Sequence, residues 1–438
     1  MEERTAHSYR PSGLSSMRRS PMTIRARDEN GGVRICAWFA LLAAVGAAVV
    51  APIAGTASGS RATTPLAPRL ARALAVPGLG RSVSAAVAID LSSGDVLFKR
   101  RQFGALEPAS NEKLTVTLAA LELLGSAFRI RTEVYGEGGQ AGTVWRGNLV
   151  LKGHGDPTLS SHDLKRLAWL VRGAGIRKVT GSVVGDESFF DSKRGVWGWK
   201  PEFYGAESPP LSALSVDRGL YRDRLAPRPA LAAAALFRRQ LLDAGVSVGG
   251  RSTQGRAARS AIPLAYVESP PLWKILRFMD VWSDNFTAEL LLKQLGATVS
   301  HGTSAGGAGV VRQVLAEHAV PLGGVRIVDG SGLSQRDRLS AAALVAILRV
   351  AFEDPGLRKP FQTVLAVAGK TGTLRKRLLG ARTKGHVLAK TGTTSAASAL
   401  AGYVNGRYAF AILHNGHPLA SWYAKEAEDR FVKVLAAQ

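Results

Sequence analysis

The chain has one cysteine in 438 residues, and it shows no pattern typical of metal ligands. A single cysteine excludes an internal disulfide, a zinc site of several thiolates and a cysteine-ligated iron–sulfur cluster. The eight histidines lack metal-ligand spacing, and the sequence His-Glu-x-x-His is absent. We therefore expect no metal site.

Acidic residues are also scarce: the chain has 33 Asp and Glu and 57 Lys and Arg, which gives a formal net charge of +24. A surface this basic attracts polyanions, a class that includes nucleic acids, anionic lipids and anionic cell-wall polymers. The chain is 46% hydrophobic and 21% charged, which excludes wholesale disorder. Its length is enough for two or three domains of ~150 residues each.

The N-terminal region has the pattern of a targeting segment. Residues 1–34 contain seven arginines and four acidic residues, and residues 35–54 contain no charge. A basic segment, an apolar run and small residues after it are typical of an export signal. The run of about 20 residues could also remain as a membrane anchor. A buried helix of a soluble domain is the alternative, but the basic-then-apolar order favours targeting. Export argues against nucleic acid as a partner and favours the cell envelope.

Hydrophobic patterns after this segment predict a mixed α/β fold. Residues 57–77 are rich in Ser, Thr, Pro and Ala and predict a linker. Residues 111–124 are apolar almost all round, which predicts a helix buried in the core. Residues 398–404 and 408–413 have the composition of strands, and Asn405-Gly406 between them is the strongest short-range signal for a β-hairpin.

Ser110 and Lys113 form the only Ser-x-x-Lys pair, at the start of the predicted buried helix. Positions i and i+3 share a helix face, so the lysine amine can reach the serine hydroxyl. Burial disfavours a charged lysine, and a neutral lysine can accept the serine proton. The alternative is that Ser110 only caps the helix and Lys113 lies on the surface.

Two further short motifs follow in the chain. Ser283-Asp284-Asn285 lies between two predicted helices, where helix capping is the alternative explanation. Lys-Thr-Gly occurs at 370–372 and at 390–392, and only the second copy precedes the predicted hairpin. On an edge strand its lysine supplies positive charge, its threonine can hold a carboxylate, and its glycine admits the substrate backbone. We interpret the first copy as part of a basic turn.

Two rival motifs are weaker. A phosphate-binding P-loop is excluded, because the required earlier glycine is replaced by Val364 in one copy and Ala389 disrupts the other. Residues 302–306 match Gly-x-Ser-x-Gly, the nucleophile elbow of α/β-hydrolases, with Ser304 as the nucleophile of an esterase. That elbow needs a strand directly before it, whereas a helical pattern precedes it here.

The order of the three motifs is the strongest signal in the sequence. Ser-x-x-Lys, then Ser-x-Asn, then Lys-Thr-Gly is the set of penicillin-binding proteins and class A β-lactamases. The chain resembles the class C low-molecular-mass penicillin-binding proteins, D-alanyl-D-alanine carboxypeptidase/endopeptidases of serine peptidase family S13. The resemblance extends from about residue 85 to residue 403. It includes GDPTL at 155–159, YGAESPPLSALSVDR at 204–218 and DGSGLSQRDRLS at 329–340.

This resemblance implies an α/β (α+β) fold, a penicillin-binding-protein/β-lactamase-like transpeptidase domain with an antiparallel sheet flanked by helices and an inserted mixed α/β domain. The implied division is residues 1–57 as a cytoplasmic tail plus signal peptide or membrane anchor, 58–77 as a linker, 78–125 and 265–438 as the catalytic domain, and 126–264 as the insert. The insert is short for the family.

The resemblance also implies an acyl-enzyme mechanism without a metal or organic cofactor. Carried over by motif, Ser110 is the nucleophile, Lys113 its general base, Ser283 a proton relay and Asn285 a ligand of the substrate backbone. Lys390, Thr391, Gly392 and Thr393 form the strand that binds the terminal carboxylate, and the backbone N–H groups of Ser110 and Thr393 form the oxyanion hole.

The implied partners are peptidoglycan stem peptides ending in D-Ala-D-Ala and β-lactams, with anionic cell-wall polymers as a further candidate and no nucleic acid. The protein is then exported and extracytoplasmic, and it contacts the membrane only through residues 35–54. Asp186, beside Phe189 and Phe190 in the insert, is our candidate for binding the free amino end of the stem-peptide side chain.

Two alternatives remain from the sequence. A β-lactamase shares all three motifs, but the Glu-x-x-Leu-Asn motif of class A is absent, and Tyr403-Val404-Asn405 lies on the wrong side of Lys390 for class C. A catalytically inactive wall-binding protein would have been free to lose the three motifs, and this chain retains them.

Overall fold

The computed structural model of the chain describes residues 65–80 and 82–438, which form two large β-sheets with helices packed around them. The helices are α1 (Leu66–Ala73), α2 (Lys113–Leu123), α3 (Ser161–Gly173), α4 (Phe203–Ala206), α5 (Pro229–Asp243), α6 (Leu272–Trp282), α7 (Asn285–Ala297), α8 (Ser304–Glu317), α9 (Ala341–Glu353), α10 (Pro355–Val364) and α11 (Ser421–Leu435). The 3₁₀ turns are Ala109–Glu112, Asp217–Gly219 and Gly372–Leu374.

The strands are β1 (Val83–Asp90), β2 (Val96–Arg100), β3 (Arg131–Ala141), β4 (Val144–Gly153), β5 (Lys178–Val179), β6 (Val183–Asp186), β7 (Leu220–Tyr221), β8 (Arg224–Leu225), β9 (Ser247–Val248), β10 (Ser252–Gln254), β11 (Ile262–Glu268), β12 (Ala366–Val367), β13 (Val387–Thr393), β14 (Ala397–Val404) and β15 (Tyr408–Asn415). The strands β7 and β8 form a separate two-stranded ribbon.

The first sheet is antiparallel and has the order β12-β13-β14-β15-β1-β2. Its middle strands are apolar almost without interruption because helices cover both faces. Along β1, Ala85, Val87 and Ile89 join the core shared with α2, α7 and α9, whereas Ala86 and Ala88 join the core shared with α1 and α11. The predicted hairpin is confirmed as β14 and β15.

The predicted buried helix is also confirmed, although its first residues form a 3₁₀ turn. Every residue of α2 from Lys113 to Leu121 is buried. The helix packs against five others, α6, α7, α8, α9 and α10. Its apolar surface on all sides follows from this central position.

The second sheet lies in the part of the chain between β2 and α6. It has seven strands, of which β3, β4 and β11 pair antiparallel and β6 pairs parallel with β4 and β10. The helices α3 and α5 cover it, and Leu164, Leu167 and Phe237 lie in that core. A smaller apolar cluster joins this region to α7: Phe190, Trp199 and Leu211 pack with Phe286 and Leu333.

Within residues 65–80 and 82–438, no helix is both long and apolar enough to span a bilayer. The run at 35–54, which we interpret as an export signal or membrane anchor, lies outside the described residues. The division of the chain into catalytic and inserted domains stays a prediction. Within the expected linker at 58–77, residues 66–73 instead form the helix α1, and its Leu70 is buried in the core shared with α11.

Candidate functional site

Ser110 lies on the 3₁₀ turn that leads into α2, at the edge of the first sheet. Ala109 before it has φ of 47°, a left-handed conformation that costs a non-glycine residue about 1–3 kcal/mol. Gly332 packs behind this turn with φ of 78°, and any side chain there would collide with the Ala109 carbonyl oxygen. Ser110 itself is half-buried, so the turn presents it beside a cleft instead of in the core.

Lys113 is the most constrained side chain of the site. It is fully buried, and its Nζ has three oxygen neighbours: Ser110 Oγ at 3.0 Å, Asn285 Oδ1 at 2.8 Å and the Ser331 carbonyl oxygen at 2.6 Å. Burial lowers the pKa of Lys113, and the carboxylates of Asp329 and Glu289 oppose that shift. The amine therefore releases its proton more readily than an exposed lysine.

The Ser283–Asn285 loop is a tight turn between α6 and α7. Ser283 has φ of 61° and ends α6, and Asp284 caps α7 by accepting a hydrogen bond from the Thr287 N–H. Arg218 donates two hydrogen bonds to the Asp284 carboxylate, at 2.7 and 3.2 Å. This fork fixes the loop so that Ser283 and Asn285 point to the same cleft.

Lys390 on β13 completes the cluster. Its Nζ donates to Ser283 Oγ and to the Thr391 carbonyl, both at 2.8 Å, and the side chain is fully buried. Burial, reinforced by the positive charge of Lys113, holds the pKa of Lys390 well below its ordinary range. The structure thus brings together Ser110, Lys113, Ser283, Asn285 and Lys390, as the motif order predicts.

The rest of this Lys-Thr-Gly strand lies against the Ser110 turn. A Cβ on Gly392 would lie 3.0 Å from Ser110 N and 2.8 Å from the Pro108 carbonyl oxygen, so only glycine leaves that space open. Thr393 ends β13 and is exposed, whereas Thr391 is buried.

One residue of the first Lys-Thr-Gly region also reaches the site, which the sequence analysis missed. Thr373 Oγ1 lies 2.8 Å from Thr391 Oγ1. Lys370 of that copy is exposed, so only the residue after the motif contributes. The available signal was that Thr373 follows the first copy of the motif just as Thr393 follows the second.

Ser304 is not at this cluster. It is the first residue of α8, its preceding element is α7 instead of a strand, and it lines a separate cavity of about 660 Å³. No histidine is among the described residues that line this cavity. The strand–turn–helix geometry that a nucleophile elbow requires is therefore missing.

Four buried carboxyl groups lie behind Lys113, a feature that the sequence analysis also missed: Glu112, Glu289, Asp329 and Asp337. Burial raises the pKa of Glu112 well above its ordinary value, and the neighbouring acids Asp329 and Glu289 add to the shift. Burial likewise raises the pKa of Glu289 to about 8 and that of Asp337 well above its ordinary range. Carboxyl groups packed this closely cannot all ionise together.

Asp186 does not agree with our expectation of a substrate-binding role. It is fully buried at the end of β6, and its two carboxylate oxygens accept hydrogen bonds from the backbone N–H groups of Ser188 and Ala257, at 2.8 and 2.9 Å. The side chain has no exposed surface, so it does not meet an ammonium group in a cleft. The side chain instead ties together two chain segments beside the second sheet.

We predict that Asp186→Asn lowers the free energy of unfolding by about 1–3 kcal/mol, because one amide N–H would lose its acceptor. The ratio of the hydrolysis rates of stem peptides with and without a free amino end should not change. Urea unfolding and hydrolysis of paired stem peptides measure the two effects. A lost preference at unchanged stability would restore the substrate-binding role.

Glu112→Gln should stabilise the fold at high pH only. A carboxyl whose pKa is raised by folding holds its proton more tightly in the folded chain, so the folded state loses stability as the pH rises above the ordinary glutamate value of 4.5. Glutamine cannot ionise and avoids this loss. The melting temperature of the variant should exceed that of the wild type near pH ~8 and match it near pH ~4.

The exposed Glu353 provides the control for this measurement, because Glu353→Gln should leave the pH dependence unchanged. A Glu112→Gln variant that gains nothing at the higher pH would show that Glu112 is already ionised without cost in the folded protein.

Comparisons with known proteins bear on the family and the fold of the chain. A sequence model of the D-Ala-D-Ala carboxypeptidase 3 (S13) family matches residues 66–231 and 223–438. The chain is 31% identical to a D-alanyl-D-alanine carboxypeptidase of Actinomadura sp. (strain R39), with 91% of this chain and 90% of the relative covered. Their alignment spans 486 positions, more than the chain itself has, so that relative contains segments that are missing here.

A second relative and a solved structure extend the comparison. The chain is 32% identical to the carboxypeptidase DacB of Mycolicibacterium smegmatis over 80% of both chains. The crystal structure of penicillin binding protein 4 from Haemophilus influenzae superposes with a TM-score of 0.76 at 21% identity, covering 85% of this chain and all of that one. A further structure of that protein is a complex with a β-lactam. The family match and the identities over most of the chain show that this protein belongs to the D-Ala-D-Ala carboxypeptidase 3 (S13) peptidase family.

Proposed function

We propose that this chain is a serine-type D-Ala-D-Ala carboxypeptidase that acts on peptidoglycan stem peptides through an acyl-enzyme on Ser110. The observation that carries the proposal is the position of Ser110 Oγ, 3.0 Å from the buried amine of Lys113. The same chemistry applied to a D-alanyl bond within a cross-link would make the enzyme a DD-endopeptidase. β-Lactams, which imitate the D-Ala-D-Ala end, are the expected inhibitors.

The geometry supports Lys113 as the general base. A neutral lysine amine has two N–H groups and one lone pair. Asn285 Oδ1 and the Ser331 carbonyl only accept hydrogen bonds, so they take both N–H groups. The lone pair is then directed at the third neighbour, Ser110 Oγ, whose proton it can accept as the serine attacks the carbonyl carbon.

The second lysine supports the departure of the leaving group. Lys390 holds Ser283 Oγ at 2.8 Å, so the serine hydroxyl can pass a proton to the D-alanine amine as the peptide bond breaks. The hydroxyls of Thr391 and Thr393 and the Lys390 charge would hold the terminal carboxylate. Asn285 Nδ2, which donates to the Glu207 carbonyl at 3.1 Å, faces the cleft edge where the substrate backbone would lie.

Backbone N–H groups of Ser110 and Thr393 would stabilise the oxyanion, an effect of about 3 kcal/mol for each donor in other enzymes. The space that Gly392 leaves beside Ser110 N is consistent with this role. Water would then attack the acyl-enzyme and release the shortened peptide. A β-lactamase differs in this last step, because it must deacylate rapidly from the drug.

A fluorescent penicillin should label the purified chain, and Ser110→Ala should reduce labelling by about 10⁴-fold or more, because the nucleophile is lost. Gel fluorescence measures the label, and release of D-alanine from a stem pentapeptide measures the activity. Ser304→Ala is the matched control and should keep both.

A label that survives Ser110→Ala, or disappears with Ser304→Ala, would contradict the proposed nucleophile. Rapid hydrolysis of the penicillin without D-alanine release would favour the β-lactamase instead. A folded chain that neither binds nor hydrolyses the drug would favour an inactive wall-binding protein.

The proposed substrate places the enzyme outside the cytoplasm, in keeping with the basic and then apolar order of the first 54 residues. We propose that residues 35–54 direct export, either as a cleaved signal peptide or as an anchor that keeps the catalytic part at the membrane surface.

An anionic wall polymer is the further partner that we propose, bound by a basic loop at residues 369–386. Five exposed cations of this loop form no ion pair with any described residue: Lys370, Arg375, Lys376, Arg382 and Lys384. The sequence contains no Asp or Glu between Asp354 and Glu426, so nothing nearby along the chain neutralises them. The loop also carries Thr373, which places it beside the cleft.

Replacing the five cations of the basic loop with glutamine should weaken binding to a polyphosphodiester wall polymer by about tenfold or more at low salt. The matched control removes the same charge from exposed cations around the second sheet: Arg146, Lys165, Lys178, Arg251 and Arg259. Cosedimentation with the polymer between about 0.05 and 0.3 M salt measures the binding. Equal losses in both variants would indicate a diffuse charge effect, and no loss in the loop variant would contradict the proposed surface.

A further inference from the structure

Glu289 is a fully buried acidic residue outside the three catalytic motifs. It lies on α7 one turn after Asn285, on the same helix face. No described basic residue forms an ion pair with it, and its Oε2 atom has no hydrogen-bond partner among the described residues. Burying an unpaired carboxyl is costly, so the fold must gain something specific from it.

The carboxyl group organises a loop of backbone. Glu289 Oε1 accepts hydrogen bonds from the N–H groups of Gly330 and Ser331, at 3.1 and 2.8 Å. Both of these residues are buried, and buried amide N–H groups need an acceptor. Gly330 packs so closely that a Cβ there would lie 2.7 Å from the Ala288 carbonyl oxygen, which keeps the loop against α7.

The same loop supplies one of the three neighbours of the Lys113 amine. The N–H of Ser331 faces Glu289, and its carbonyl oxygen lies 2.6 Å from Lys113 Nζ. The helix α7 therefore orients the Lys113 amine in two ways. Asn285 contacts the amine directly, and Glu289 acts indirectly through the Ser331 peptide. If the Ser331 carbonyl moved, one N–H of the neutral amine would lose its acceptor and could turn toward Ser110.

We propose that Glu289 is a positioning residue for acylation, which holds the Ser331 carbonyl oxygen against the Lys113 amine so that the lone pair of the amine faces Ser110. This inference rests on the proposed role of Lys113 as the general base. It assigns Glu289 the function of a hydrogen-bond acceptor and not that of a charge, because its contact with the loop is made entirely through Oε1.

Two substitutions with side chains of similar length distinguish a role as hydrogen-bond acceptor from a role in filling space. Glu289→Gln keeps a side-chain oxygen that can accept both N–H bonds. Glu289→Met fills the same space and cannot hold the loop, and an apolar replacement of a buried charge is often tolerated. Leu291→Ala is the control for lost stability, because Leu291 is buried on the opposite face of the same helix.

The measurement is the second-order rate of acylation of the full chain by a fluorescent penicillin, at constant pH and with melting temperatures recorded for every variant. We expect Glu289→Gln to remain within about threefold of the wild type and Glu289→Met to lose about 10- to 100-fold, since a displaced base costs rates of this order. Leu291→Ala should melt earlier and keep its rate. If Glu289→Met does not fold, Glu289→Ala takes its place.

A Met variant within threefold of the wild type would overturn the proposal, as would a Gln variant that loses as much as the Met variant. The second outcome would mean that the charge of Glu289 matters and not its acceptor. Failure of the proposed function looks different, because the wild-type chain would then not be acylated at Ser110 at all.

Discussion

Burial of the Lys113 amine is the constraint on which the rest of the site depends. An amine removed from water needs a hydrogen-bond partner for each N–H. The fold provides these partners from α7 and from the segment between α8 and α9, which contains Ser331. Because both partners only accept hydrogen bonds, the one remaining direction of the amine is toward Ser110. The segments that hold Asn285 and the Ser331 carbonyl therefore affect the amine that faces the serine.

The segment between β2 and α6 is part of this arrangement. Arg218 holds Asp284 in the Ser283–Asn285 loop, and Trp199 donates to the Asp329 carboxylate at 2.8 Å behind the lysine. Asp329 also accepts hydrogen bonds from the N–H groups of Gly332 and Ser334, so it fixes the loop that carries the Ser331 carbonyl. The geometry of the site thus depends on contacts from the segment between β2 and α6 and is not a property of the antiparallel sheet alone.

Charge is distributed unevenly through this chain. Few acids are available, yet four of them lie buried behind Lys113. They shape the backbone around the amine, and their burial leaves the exterior still more basic. The proposed role of Lys113 requires a neutral amine, and buried carboxyl groups with raised pKa values, those of Glu112 and Glu289, lie near it. The five exposed cations of the basic loop remain available to meet a polyanion.

The sequence alone determined the motif order, the buried helix, the hairpin and the family. Each motif, the helix and the hairpin are recognised from residue types a few positions apart in the chain, where local interactions constrain the backbone. Only the tertiary structure decided which side chains meet. Lys113 and Asn285 are 172 residues apart, so their 2.8 Å contact has no local signature.

The same reason explains what the sequence analysis missed or misjudged. Glu289 and Asp186 both accept hydrogen bonds from backbone N–H groups, which every residue type except proline can supply. An acid beside two phenylalanines suggested an ammonium site, but burial and two backbone donors gave Asp186 a different role. Residue type limits the chemistry that a position can perform, and the packing of distant segments decides whether that chemistry is used.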